Sequence, residues 1–154
     1  MSSDYRPKGC WLYVKLTTSI IGVVLGLAAF FCFMFVYHNV HSGAWALVSA
    51  MFALITFVMH VCVYRDVTYS IQPHTFQRLK YVGIFGAFLG LGIFIGYLVK
   101  GILVHESGVV VNGWFIVTVW GYMTWKWGFL LFWHSRKYCR SLVDEMTDIL
   151  SVNT

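Results

Sequence analysis

The sequence predicts an all-α membrane protein. It reads as a single domain over residues 1–154, a four-transmembrane-helix bundle with cytosolic N- and C-termini and a short amphipathic C-terminal helix. Composition is the first reason. The chain is 59% hydrophobic and 19% aromatic but only 11% charged, against roughly 25% in soluble domains. A water-soluble domain of about 150 residues leaves roughly 30% of its unfolded surface wet, which this many apolar side chains could not tolerate. Charge spacing is the second reason. From Leu16 to Tyr64, 49 residues pass without an Asp, Glu, Lys or Arg, room for two spans of about 20 residues each. The third is the alternation of Lys and Arg between the two sides of those spans. A soluble domain, a disordered chain and a disulfide-rich secreted module are excluded. So is a nucleic-acid binder, because the net charge of +5 reads as a topology signal.

Taken in order, the first span covers about 16–37 and the second about 44–64, divided by the polar run from Tyr37 to Gly43. The third covers about 81–103. The fourth covers about 109–133 and continues past Lys126 to Trp133. The first apolar run is longer than a signal peptide's and lacks a small-residue cleavage site, so it is expected to stay as an anchor. The polar loop Thr68–Arg78, which carries Pro73, is expected to form an ordered turn or a short interfacial piece. In the tail (134–154), Leu142, Val143, Met146, Ile149 and Leu150 recur at helical spacing opposite Arg140, Asp144, Glu145 and Asp148. That pattern predicts an amphipathic helix lying on the membrane surface. The stretch Glu145–Leu150 also has the form of an acidic dileucine sorting signal, though the amphipathic helix alone explains it.

Arg6, Lys8 and Lys15 precede the first span, Arg65, Arg78 and Lys80 lie between the second and third, and Arg136, Lys137 and Arg140 follow the fourth. The opposite side holds only Lys100. The positive-inside rule therefore puts both termini and the middle loop in the cytosol. No cysteine pair shares an exoplasmic loop, so Cys10, Cys32, Cys62 and Cys139 read as small hydrophobes. Gly86/Gly90 and Gly92/Gly96 form two small-xxx-small pairs on different faces of the third helix, matched by Gly22 and Gly26 on the first. Two such faces on one helix imply a central place in the bundle or a homo-oligomer contact.

Lys126 stands inside the fourth span, where a lysine snorkels, pairs or faces a polar cavity. Tyr122, Lys126, Phe129 and Trp133 share one face, an aromatic wall with one cation, suited to a flat, anionic, apolar ligand. Of six histidines, only His60 lies clearly within the bilayer. It stands four residues before Tyr64, so the two share a helical face, and both are competent axial donors to iron. His134 and Tyr138, also four apart, form a similar pair if the tail is helical. No HExxH, CxxC, GxSxG, P-loop or dinucleotide fingerprint occurs, and the chain is not expected to be an enzyme.

The stretch Trp120-Gly-Tyr-Met-Thr-Trp-Lys126-Trp127-Gly-Phe-Leu-Leu, followed by His134-Ser-Arg136-Lys137-Tyr138, resembles the fourth helix and tail of the HRG (heme-responsive gene) heme transporters, solute carrier family 48. His60-Val-Cys-Val-Tyr64-Arg-Asp resembles the family's second-helix His/Tyr region, and Asp148-Ile-Leu-Ser151 its Ile-Leu-Ser ending. His134 and Ser135 replace the Phe and Ala of the family's tail element, whereas Arg136, Lys137 and Tyr138 match. The resemblance implies a multi-pass carrier of the plasma membrane or the endosome–lysosome membrane. Its cargo would be heme, moved from the exoplasmic side or an endolysosomal lumen to the cytosol. It implies His105 as an outer receiving residue and His60 or Tyr64 on the iron; the aromatic face of the fourth helix would shelter the ring, with Lys126 beside a propionate. Arg136, Lys137 and Tyr138 would stand at the exit, and His134, where the family has Phe, either adds a ligand or is simply tolerated at the interface. The heme would pass along weak sites, because tight bis-axial ligation traps cargo. The rival readings are a non-transporting four-helix scaffold or accessory subunit, and a small cation channel. The channel is disfavoured by the lack of acidic residues within the spans.

Overall fold

The computed structural model describes residues 10–65, 73–106, 108 and 110–152. Helix α1 (Cys10–Phe31) runs directly into a π-helical turn, Cys32–Val36, and is followed by α2 (Val40–Tyr64), α3 (Pro73–Leu103) and α4 (Trp114–Val152). The described residues contain no strand. Helices α1, α2 and α3 are long and apolar enough to cross a membrane. Helix α4 is longer, at 39 residues, but Lys126 and its tryptophans and tyrosine lower its hydropathy. Arg6, Lys8 and Asp66 lie outside the described residues, as do residues 68–72 of the loop from Thr68.

The helices run up and down, with α2 and α4 in the middle, α1 packed on α2 and α3 on α4. Burial is inverted relative to a soluble bundle. Phe88 is 73% exposed, and Phe35, Phe85 and Leu103 also face outward, while Ser19, Ser49, Thr56, His60, Thr124, His134 and Ser135 are buried. Hydrocarbon offers no partner to a polar group, so each must be satisfied by protein. Thr56 and Thr124 donate to the carbonyls of Phe52 (2.8 Å) and Trp120 (2.9 Å), one turn back on their own helices.

Glycine sets the α3–α4 contact. A Cβ on Gly83 would stand 2.5 Å from the Phe132 backbone nitrogen, and one on Gly90 would strike the Trp125 backbone. The same holds from α4, where Gly121 and Gly128 face the α3 backbone at Phe94 and Ala87. The working glycines on α3 are therefore Gly83, Gly86 and Gly90, whereas Gly92 and Gly96 have nothing within 4 Å. Gly22 accommodates the Trp127 ring and Gly26 packs on Ala46 and Ala50. Cys32, Cys62 and Cys139 are free thiols.

The two largest differences from the expected boundaries are the end of α4 and the start of α3; α1 also begins early, at Cys10. The amphipathic tail is not a separate helix but the continuation of α4, which carries no Pro or Gly after Gly128 to break it. Helix α3 begins at Pro73, well before the expected span, because proline's fixed φ suits a first helical position. The two extensions support each other: Leu79 on α3, with Cys139 and Leu142 on α4, pack around the buried Phe76 and Tyr138. The polar loop is thus partly helix from residue 73 onward. The backbone of the dileucine-like stretch is helical, and the side chains of Glu145, Met146, Asp148, Ile149 and Leu150 lie outside the described residues.

Candidate functional site

Three polar rings meet where the last turns of α2 cross α4. His60 is 1% exposed, and its Nδ1 lies 3.1 Å from the Tyr138 hydroxyl. The His134 ring stands perpendicular to it, centroids 4.8 Å apart. His134 Nδ1–H donates to the Leu130 carbonyl at 2.7 Å, which leaves the lone pair of the neutral ring on Nε2. Tyr138 is 4% exposed and packs edge-on against Phe76 of α3. Ser135, fully buried beside His134, donates to Met59 Sδ at 3.3 Å. Lys15 of α1 acts electrostatically on both imidazoles, and Lys137 on His134. The cluster therefore joins two imidazoles and a phenol, with two cations close by, at the end of the bundle where α1 begins and α4 leaves the core.

Tyr64 does not join it. The residue is 51% exposed, and its hydroxyl lies 3.1 Å from that of Tyr13 on α1. Four residues turn a helix by about 400°, and the remaining 40° directs Tyr64 toward α1 while His60 faces α4. The partner that sequence spacing gave to His60 is replaced by His134 and Tyr138, which follow one another on α4 and reach His60 only through tertiary packing. Lys15, read from the sequence as a topology marker alone, is the other omission. Up-and-down topology was the available signal, since it sets the start of α1 level with the end of α2.

Lys126 is half-buried, its Nζ 5.3 Å from the centroid of the Trp127 ring that packs on Gly22. The aromatic wall exists as a ladder, Tyr122–Trp125–Phe129–Trp133, with successive centroids 5.5, 6.1 and 6.1 Å apart. Trp125 takes the rung that the sequence reading gave to Lys126. Lys137 Nζ closes the ladder 5.4 Å from the Trp133 ring centroid, and Arg136 is exposed. His105 is exposed and holds a left-handed backbone, φ 53°, just past the end of α3. Its N–H bonds the Ile102 carbonyl and that of Glu106 bonds Gly101, the paired bonds of a Schellman cap.

A bundle with many large apolar side chains outside and two imidazoles and several hydroxyls buried within defines a class: an all-α integral membrane protein with a polar site at one end of its core. Within that class, the family described as "Haem-transporter, endosomal/lysosomal, haem-responsive gene" matches residues 79–127, the greater part of α3 and the first part of α4. The chain is similar to heme transporter hrg-4 of Caenorhabditis elegans, 26% identical over 106 residues, or 68% of this chain and 57% of that protein. It is similar also to heme transporter hrg-6 of the same organism, 27% identical over 122 residues, or 77% of this chain and 76% of that protein. The match thus spans little more than half the length of the first relative. No solved structure matches. The resemblance to the HRG family is borne out, and the transporter names of both relatives agree with the expectation of a non-enzyme.

Proposed function

We propose that this chain is a heme transporter that moves heme from the exoplasmic side or an endolysosomal lumen to the cytosol. The observation that carries the reading is the buried His60–His134–Tyr138 cluster with Lys15 and Lys137 beside it. Heme is a flat apolar disc with an iron that takes imidazole or phenolate and two carboxylates that take cations. This end of the bundle offers all three. It is also the end that carries Lys15, Arg65, Arg78, Lys80, Arg136, Lys137 and Arg140, all expected in the cytosol.

The spacing of the imidazoles bears on how heme would be held. Two imidazoles that ligate one iron from opposite faces have the iron and its macrocycle between them. At 4.8 Å the rings touch, so one of them binds iron from one side, or the pair must part. One-sided ligation is weak enough to release cargo, which a carrier requires. Tyr138 orients the His60 ring through Nδ1, as the outer partners of ligating histidines do. Lys126 meets a propionate midway, the Tyr122–Trp133 ladder shelters the ring, and Arg136 and Lys137 draw the propionates toward the exit. Tyr64 lies beside this path as a secondary donor, and His105 stands at the opposite end.

The test is a titration of purified chain in detergent with hemin, followed by hemin uptake into proteoliposomes. Wild type should shift the Soret maximum, and the His60→Ala/His134→Ala double variant should lose most uptake. A wild type that leaves the hemin spectrum unchanged refutes the reading and returns the chain to the scaffold class.

A further inference from the structure

At the other end of the bundle, α2, α3 and α4 bring together four side chains that the sequence reading did not connect. His41 Nδ1 lies 3.2 Å from the Tyr97 hydroxyl. The Trp114 ring stacks on Tyr97, interplanar angle 21° at 5.7 Å, and stands 5.6 Å from His41. Lys100 Nζ sits 3.5 Å over the Trp114 centroid. His41 and Lys100 are exposed, and Tyr97 and Trp114 are half-buried. Supports fix the group in place. Asn39 accepts the Ser42 N–H at 3.1 Å and donates to the Val111 carbonyl at 3.2 Å, tying the two connections at this end together. Glu106 Oε2 accepts the Trp114 N–H at 2.8 Å.

We propose that His41, Tyr97, Lys100 and Trp114 form a second heme-docking site, which receives heme on the side of the membrane opposite the His60 cluster. The proposal rests on the heme reading above and adds a site to it. In the tautomer that donates Nδ1–H to Tyr97, the lone pair of His41 stands on Nε2, the state in which imidazole binds iron. The Trp114 indole supplies a flat apolar surface, and Lys100 supplies a cation for a propionate. A second, independent feature points the same way. Ser42 Oγ and Trp120 Nε1 are buried toward this end without hydrogen-bond partners among the described residues, donor capacity that a propionate would use. From Trp114 to His134, α4 rises about 30 Å, the thickness of a bilayer's hydrocarbon core. A heme at one cluster cannot touch the other, so they are an entry and an exit.

The experiment is hemin titration of the full chain in detergent, followed at the Soret band. Wild type is expected to take two equivalents and His60→Ala/His134→Ala one. Added to that double variant, His41→Ala should remove the remaining shift, while His38→Ala, in the same connection, should leave it. Tyr97→Phe, which keeps the stacked ring, should weaken it about tenfold, as loss of an orienting partner does. Lys100→Met should weaken hemin but not hemin dimethyl ester, and it guards against misfolding of the His41 variant. The second site is overturned if the double variant binds no hemin while wild type binds one equivalent, which leaves the transport reading intact. It is overturned equally if the residual binding survives His41→Ala and disappears with His105→Ala. A wild type that binds no hemin overturns both.

Discussion

Tyr138→Phe separates the two descriptions of the His60 neighbourhood most sharply. The substitution deletes one oxygen and keeps the ring that packs on Phe76 and His134. With His60 1% and Tyr138 4% exposed, water cannot replace the lost hydroxyl, and His60 Nδ1 loses its 3.1 Å partner. An unsatisfied buried group costs about 1–3 kcal/mol. Hydrogen bonds between membrane helices average only about 0.6 and reach about 1.7 kcal/mol, because the unfolded state in lipid also finds partners. The dryness of this site places the loss near the top of that range, about 1–1.7 kcal/mol. If His60 binds iron, hemin affinity should also fall about 10- to 100-fold. Thermal unfolding of the ligand-free chain in detergent reads the first quantity and a Soret titration the second. Tyr64→Phe is the internal comparison: its hydroxyl is exposed and lies 3.1 Å from that of Tyr13, so its stability effect should stay within about 0.5 kcal/mol. The reasoning fails if Tyr138→Phe changes neither quantity, or if Tyr64→Phe changes both more.

In hemin uptake, His60→Ala and His134→Ala should each act only in part. Their combination should depart from the sum of the singles, because the rings touch and serve one ligand; additive losses would mean independent sites. Gly90→Ala should destabilise by about 1–3 kcal/mol through its clash with the Trp125 backbone. Gly92→Ala, facing open space, should be neutral or stabilise by up to about 1 kcal/mol; equal melting temperatures for the two would contradict the α3–α4 packing. Lys126→Leu should lower hemin uptake at normal expression, since leucine inserts readily at that depth, and full uptake would show that the ammonium only reaches for the interface. His105→Gly should raise stability by about 0.5–1 kcal/mol, because glycine adopts the left-handed cap conformation without the Cβ penalty; a lower melting temperature would show that the side chain contributes more than the backbone strain costs.

Sequence alone determined the solvent and the helices. Long charge-free stretches can bury themselves only in lipid, and lipid admits helices because the backbone must satisfy itself. The clusters of Lys and Arg then predict one orientation. Local spacing also identified His60, Tyr138 and the α4 aromatics, since residues three or four apart on one helix must be neighbours. Helix ends were less legible. Hydropathy marks where lipid stops, whereas α3 and α4 run on until a breaker or a cap intervenes, held together by Phe76, Tyr138 and Leu142. Which faces oppose one another was decided by tertiary structure alone. Gly83 and Gly90 let α4 approach α3 while Gly92 and Gly96 stay outside, a choice set by backbone-to-backbone fit that no periodicity encodes. The same packing turns His60 to His134 and Tyr138 and leaves Tyr64 with Tyr13. It also gathers His41, Tyr97, Lys100 and Trp114 from three helices. These partners lie more than fifty residues apart in pairs such as His60 and Tyr138, and only the rotation of each helix about its own axis, fixed by its neighbours, brings them within reach.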